Sequence, residues 1–153
     1  GPNNANGRFQ GMVTTEYALQ WSLNAPAAQL CNMISPEECY AFLTQKLHFT
    51  TLNDKVDQHS ISAMALGGLN QGVTVKEMTA AFQIFGNQGK YVEPYTYYYV
   101  EDHDGNVILD NRYNAENATQ AMRPGAAGAM NKLLQNATTY GTGSRAKIWN
   151  WEM

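Results

Sequence analysis

The spacing of the apolar residues changes at the stretch "GNQG", and this change constrains the fold more than any other feature. Before it, Met78, Phe82 and Phe85 recur at the intervals that place side chains on one face of a helix. After it, the segment "YVEPYTYYYVEDHDGNVILDN" alternates and contains Asp104-Gly105, a dipeptide that favours a tight hairpin turn. The sequence therefore predicts a helix that is followed by an antiparallel β-hairpin.

Two capping boxes mark further helix starts. Thr74 and Glu77 form one, and Ser35 and Glu38 form the other, which also has Pro36 at the first helical position. In such a box the side chain of each residue accepts a hydrogen bond from the backbone N–H of the other. We expect one helix to begin after Thr74 and another to run from Pro36 to about residue 46.

Weaker signals place three more helices. Thr14 or Thr15 caps a helix that runs to about Ser22, and Pro26 suits the first turn of the next helix, with Asn24 at its cap. The segment "PGAAGAMNKLLQNA" predicts a final helix. Predicted strands do not alternate with predicted helices along the chain, as they would in a doubly wound sheet. The predicted fold class is α+β, predominantly helical with one antiparallel β-hairpin.

Size and charge exclude several classes of protein. The 153 residues suit a single domain that spans residues 1–153, and the net charge of -3, without a basic run, gives no basis for a nucleic-acid partner. No apolar window approaches the length of a membrane span, and no signal peptide is recognisable. We expect a soluble chain that makes no membrane contact itself, although a parent protein could carry an anchor elsewhere.

The two cysteines and three histidines do not match a metal site. Cys31 and Cys39 fit no zinc spacing, and buried free thiols are a simpler interpretation than a disulfide, which stays open. His48, His59 and His103 lack metal-ligand spacing as well. The spacing of these residues therefore predicts no metal site.

Four segments together resemble the transpeptidase domain of class A, bifunctional penicillin-binding proteins. They are, in the order that the family has them, "GRFQGMVTTEYALQWSLNAPA", "ALGGLNQGVTVKEMTAAFQIFGNQGKYVEPY", "VEDHDGNVILDN" and "YGTGSRAK". The second is the most specific of the four. The resemblance covers nearly the whole chain and implies part of a β-lactamase-like serine acyltransferase fold.

The resemblance also implies a chemistry. Such enzymes acylate a serine with the D-Ala-D-Ala end of a cell-wall stem peptide and pass the acyl group to an amine of a neighbouring peptide. β-Lactam antibiotics acylate the same serine. The family uses a Ser-x-x-Lys nucleophile, a Ser-x-Asn motif that relays protons and binds substrate amide, and a Lys-Thr-Gly strand that pairs with substrate backbone.

One of these three motifs is present in the expected place. Ser22 and Asn24 match Ser-x-Asn, whereas Lys-Thr-Gly is absent. Ser144 and Lys147 form a Ser-x-x-Lys, but it follows Ser-x-Asn instead of preceding it, so we interpret it as a coincidence. We therefore expect the central part of a transpeptidase domain, which lacks the upstream nucleophile and the downstream strand and depends on those flanking segments. Catalytic residues that act together lose nearly all of their activity when one of them is removed, so the chain alone should be inactive.

Other interpretations remain open. Ser22 and Asn24 could simply cap helices, since both residue types satisfy backbone groups at helix ends. The chain could also belong to a catalytically dead, transpeptidase-like binding module that holds a peptide or a cell-wall partner. A β-lactamase or β-lactam sensor shares the skeleton, but "ALGGLNQGVTVKEM" resembles the bifunctional proteins more. The enzyme interpretation implies a parent outside the cytoplasmic membrane, anchored by an N-terminal helix, that needs no metal or organic cofactor.

Overall fold

A computed structural model describes residues 1–146 of the chain. Most of the residues in regular secondary structure are helical, and the strands are short and antiparallel. The α-helices are α1 (Thr15–Gln20), α2 (Asn24–Ile34), α3 (Pro36–Ala41), α4 (Ile61–Leu66), α5 (Val75–Gly86) and α6 (Pro124–Tyr140). The strands are β1 (Lys90–Tyr91), β2 (Tyr99–Glu101), β3 (Val107–Asp110) and β4 (Thr119–Gln120).

Side-chain caps set three of the helix starts, as the sequence predicts. Thr14, Ser35 and Thr74 each accept a hydrogen bond from the backbone N–H three residues further on. The box of Thr74 is complete, because the side chain of Glu77 returns the bond to the Thr74 backbone. The box predicted at Ser35 is only half formed, because the N–H of Ser35 donates to the carbonyl of Cys31. Helix α3 passes into a π-helical turn, Phe42–Lys46, so this helical segment ends at the predicted residue with a wider last turn.

The predicted hairpin is present and is joined by a second, smaller ladder. Strands β2 and β3 pair around the Asp104-Gly105 turn, with a register irregularity between Val100 and Glu101. Strands β1 and β4 pair two residues each, and this pairing was not predicted, because its partners lie far apart in sequence and β4 falls in a polar stretch. The fold class, helical with antiparallel β-structure, is confirmed. None of the helices formed by residues 1–146 has both the length and the apolar character to cross a membrane.

The main apolar core packs around α5. Ile84 of this helix is 2% exposed, and Tyr91 of β1 is buried to the same extent. Partly buried side chains from the π-helical turn and from the residues after β4 pack on this cluster. The buried members of the core are Leu47, Phe49, Ala80, Ala81, Ile84 and Tyr91.

A buried carboxylate joins two loops beside α4. Asp57 is 1% exposed, and its two oxygens accept hydrogen bonds from the backbone N–H groups of Asn53 and Asn70, both at 2.8 Å. Carboxylates are seldom fully buried without partners. Asp57 thereby ties the segment before α4 to the glycine-bearing loop after it, a role that the sequence pattern did not reveal.

Glu77 connects the start of α5 to the loop that follows the π-helical turn. One of its oxygens accepts hydrogen bonds from the backbone N–H and hydroxyl of Thr50, and the other accepts the same pair from Thr74. Partial burial by itself raises the carboxyl pKa, but these four bonds outweigh it and hold the pKa of Glu77 at about 2.

We expect Glu77→Gln to lower the free energy of unfolding at pH 7 by about 1–2 kcal/mol, because an amide nitrogen cannot accept two of the four bonds. The pKa of Glu77 is lower in the folded state than the ordinary value of 4.5, so its stabilisation is present above pH 4.5 and is lost as the pH falls toward 2. Urea denaturation at pH 7 and at pH 3 measures both effects. The wild type should lose more stability than the variant between these pH values, and Glu101→Gln, at an exposed hairpin position, serves as the control.

Candidate active site

Ser22 and Leu23 lie in the connection between α1 and α2, and Asn24 is the first residue of α2. Leu23 is buried, at 8% exposure, whereas Ser22 is exposed and Asn24 is half-buried. The apolar residue in the middle therefore anchors the connection in the protein while its two polar neighbours lie at the surface. This arrangement gives a physical reason for a serine and an asparagine separated by one apolar residue.

The backbone at Ser22 adopts a conformation that non-glycine residues rarely use. Its φ angle is 52°, in the left-handed region. The N–H of Ser22 donates to the carbonyl of Leu19 at 3.1 Å, and the N–H of Leu23 donates to the carbonyl of Ala18 at 2.9 Å. Such conformations cost about 1–3 kcal/mol and concentrate at functional sites. The two bonds to α1 form a Schellman motif, which commonly ends a helix at a left-handed residue, so Ser22 occupies a position where glycine is usual.

The N-terminal segment, and not Asn24, caps α2. The structure places Leu23 at the N-cap and Asn24 at the first helical position, so the prediction of Asn24 as the cap is wrong by one residue. The capping bond comes from Asn4, whose Oδ1 accepts from the N–H of Ala25 at 3.0 Å. Asn24 instead donates from Nδ2 to the carbonyl of Asn3 at 2.8 Å. Because Nδ2 carries two hydrogens, this bond occupies one of them and fixes the side chain beside the helix start.

The end of α6 supports α1 from the other side. Gln20 Oε1 accepts from the Asn136 side chain at 2.9 Å, and the carbonyl of Gln20 accepts from the N–H of Thr142 at 3.1 Å. A Cβ atom on Gly141 would lie 2.2 Å from that same carbonyl, so only glycine fits there. The segment "YGTG" therefore packs directly on the residues that precede Ser22. Sequence reasoning noted this glycine-bearing segment but did not identify the contact.

Ser22 and Asn24 line the same open groove, which has a volume of about 1190 Å³. The groove lies between the N-terminal segment, α1, α2 and α4. Its apolar side chains are unusually exposed, since Met12 is fully exposed and Met33 is 80% exposed. The site is therefore a broad apolar surface with a few polar groups on it.

Groups that could activate a hydroxyl are scarce in this groove. Among the described residues that line it, only the amino group of Gly1 is ionisable, and no carboxylate, imidazole or lysine side chain is present. A serine hydroxyl needs a neighbouring base to become a nucleophile. The described part of the chain therefore does not supply a side-chain base to Ser22.

The second sequence candidate for a nucleophile lies elsewhere. Ser144 belongs to a short 3₁₀ turn, Ser144–Ala146, and is not among the residues that line the groove. Its predicted partner Lys147 lies outside the described residues. Residues 1–146 also contain no group of three or more His, Cys, Asp or Glu side chains placed to hold a metal ion.

Comparisons with known proteins agree with this architecture. The penicillin binding protein transpeptidase domain matches residues 3–153. Penicillin-binding protein 1A of Clostridium novyi (strain NT) is 37% identical over 144 residues, which are 94% of this chain and 16% of that protein. Penicillin-binding protein 4 of Bacillus subtilis (strain 168) is 31% identical over 145 residues, which are 95% of this chain and 22% of that protein. The chain thus spans about a fifth or less of these relatives.

Solved structures share the fold. The D,D-transpeptidase domain of a peptidoglycan glycosyltransferase from Eggerthella lenta superposes with a TM-score of 0.71 at 19% identity, over 96% of this chain and 42% of that one. Penicillin-binding protein 1A from Haemophilus influenzae gives a TM-score of 0.66 at 18% identity, over 99% of this chain and 25% of that one. With the family match over nearly its whole length, the chain belongs to the penicillin-binding protein transpeptidase domain family.

Proposed function

We propose that this chain is the central part of a peptidoglycan D,D-transpeptidase domain and that Ser22 and Asn24 act in its active site. The observation that carries the proposal is their placement on either side of the buried Leu23, facing one groove. The substrates are cell-wall stem peptides, and β-lactam antibiotics are the corresponding inhibitors. The parent protein acts outside the cytoplasmic membrane and requires no metal or organic cofactor.

In this mechanism Ser22 moves a proton and does not attack the substrate. The nucleophilic serine and its lysine belong to a segment outside this chain, and acylation releases the terminal D-alanine. The amine of that D-alanine must gain a proton as it leaves, and a hydroxyl that both donates and accepts can relay it. The exposed position of Ser22 supports such a role, because a buried hydroxyl could not reach a substrate.

Asn24 binds the substrate backbone in the same proposal. Its bond to Asn3 leaves one Nδ2 hydrogen and the side-chain oxygen for a peptide amide, which presents one acceptor and one donor. The bond also restricts the side chain before the substrate arrives, which lowers the entropy that binding must remove. The apolar surface of the groove suits the neighbouring segments of the domain, which would complete the site with the missing base.

The test is covalent labelling with a fluorescent penicillin. The full-length parent protein should form one stable adduct, and the 153-residue chain should form none, because its groove lacks a side-chain base among the described residues. Intact-mass measurement and peptide mapping locate the adduct. A parent protein that folds but forms no adduct would favour a catalytically dead binding module. An adduct on Ser144 of the isolated chain would instead identify that serine as a nucleophile and overturn the proposed roles.

A further inference from the structure

The two cysteines of the chain lie side by side at the corner between α2 and α3. Cys31 is in the last turns of α2, and Cys39 is in α3, with 3.8 Å between their sulfur atoms. Both are free thiols. Cys31 is buried, at 6% exposure, while Cys39 is partly exposed. The pair therefore combines one thiol that solvent reaches with one that it does not.

An unusual backbone conformation brings these thiols together. In one continuous helix, residues eight positions apart would lie about 12 Å apart along the axis. Ser35, which separates the two helices, has φ 92° and ψ 144°, a combination that is almost confined to glycine. Its N–H donates to the carbonyl of Cys31 at 2.9 Å, and its carbonyl accepts from the N–H of Cys39 at 3.1 Å. Ser35 thus forms a corner with one cysteine bonded to each side of it.

We propose that Cys31 and Cys39 form a redox-active dithiol site, which a low-molecular-weight disulfide oxidises to an intramolecular disulfide that links α2 to α3. The sulfur atoms need to approach by less than about 2 Å to reach bonding distance, which side-chain rotation can provide. Because α2 begins at Asn24, the link restrains the helix that carries this residue.

The reaction proceeds by two exchanges. Cys39 loses its proton to solvent, and its thiolate attacks one sulfur of the external disulfide, breaking that bond and expelling one thiolate. Cys31 then loses its proton and attacks the Cys39 sulfur of the mixed disulfide, which expels the second external thiolate. The two cysteines are oxidised, the external disulfide is reduced, and each expelled thiolate takes up one proton to give a thiol.

Burial determines which cysteine reacts first. Burial, followed by the hydrogen bond and charge of Cys39 and the charge of Glu37, raises the pKa of Cys31 to about 11. At neutral pH Cys31 is therefore almost entirely a thiol, and attack requires a thiolate. The partly exposed Cys39 is the entry point for the oxidant, and Cys31 is the resolving thiol.

The experiment treats the folded 153-residue chain with oxidised glutathione and measures intact mass without reductant. The wild type should lose two hydrogen atoms and retain no glutathione, because Cys31 resolves the mixed disulfide. Cys31→Ala should retain one glutathione on Cys39, and Cys39→Ala should react far more slowly. The oxidised wild type should melt about 5 °C or more above the reduced form, because the link constrains the unfolded chain.

Two results would overturn the proposal. The first is a wild type that retains glutathione, or remains reduced, while a model dithiol peptide is oxidised in the same solution. The second is formation of the intramolecular disulfide at the same rate in folded and urea-unfolded chain, which would show that the corner does not bring the thiols together. Circular dichroism of each variant, recorded before oxidation, ensures that the comparison is between folded proteins.

Discussion

Replacing Ser22 with alanine in the parent protein is expected to slow acylation by penicillin about 10²–10⁴-fold, the usual contribution of a positioned proton-transfer group. The change removes only the hydroxyl. It leaves the left-handed backbone of the residue in place, since serine and alanine are similarly disfavoured there. Because Ser22 is exposed, the free energy of unfolding should change by less than about 0.5 kcal/mol. A large loss of rate with an unchanged fold would distinguish a proton relay from a helix boundary.

The groove provides a matched control for this variant. Ser62 lies on α4 and lines the same groove, so Ser62→Ala makes the same chemical change on a different helix. Acylation rates of the wild type and both variants are measured from the amount of adduct formed with a fluorescent penicillin after set incubation times. Urea denaturation checks their folding. Ser62→Ala should acylate at the wild-type rate. If both serine variants acylate as fast as the wild type, Ser22 has no part in the chemistry.

The sequence predicted the elements whose signals lie within a few adjacent residues. The capping box of Thr74 and Glu77 requires only a short local pattern and forms as expected, while of the box predicted at Ser35 and Glu38 only the side-chain cap of Ser35 forms. The hairpin turn at Asp104-Gly105 is equally local. A side chain that bonds a backbone group three residues away needs no tertiary structure to specify its partner, so such patterns can be interpreted without a model of the fold.

The start of α2 shows where local interpretation fails. Asn24 has the right residue type for a cap, but the capping oxygen belongs to Asn4, which the tertiary fold brings to this helix. Leu23 then takes the cap position because the core accepts its side chain. The pairing of β1 with β4 and the burial of Asp57 also depend on contacts between distant segments. The residue types alone did not indicate any of these partners.

The candidate site combines both kinds of information. The spacing of Ser22 and Asn24, together with the flanking resemblance, identified the two polar residues. The sequence did not predict the left-handed conformation of Ser22, nor the contact that Gly141 makes with the end of α1. The left-handed conformation accompanies local bonds of Ser22 and Leu23 to α1, whereas the contact of Gly141 comes from packing between α1 and α6, helices at opposite ends of the chain. Residue types therefore indicate the chemistry of this site, while local bonds at the end of α1 and contacts with distant segments together determine its geometry.

Gly89 should be the position least tolerant of a small substitution, because it is restricted by both backbone conformation and space. Its φ angle is 81°, in the left-handed region, and a Cβ atom would lie 2.1 Å from the carbonyl oxygen of Met122. The carbonyl of Gly89 accepts hydrogen bonds from the N–H groups of Ala121 and Met122, at 2.8 and 3.1 Å, so these two segments cannot separate without losing both bonds. We expect Gly89→Ala to lower the free energy of unfolding by about 3 kcal/mol or more.

A second glycine separates the two causes. Gly67, at the C-terminal end of α4, has φ 79°, but a Cβ atom there would meet nothing within 4 Å. Gly67→Ala therefore carries the conformational cost without the clash and should lower the free energy of unfolding by about 1 kcal/mol. Urea denaturation of the wild type and both variants in the same buffer gives the two differences. Equal losses would mean that the segment after β4 moves aside for the methyl group, so that the close approach of Met122 does not constrain Gly89. A larger loss of stability for Gly89→Ala assigns the difference to the contact with Met122.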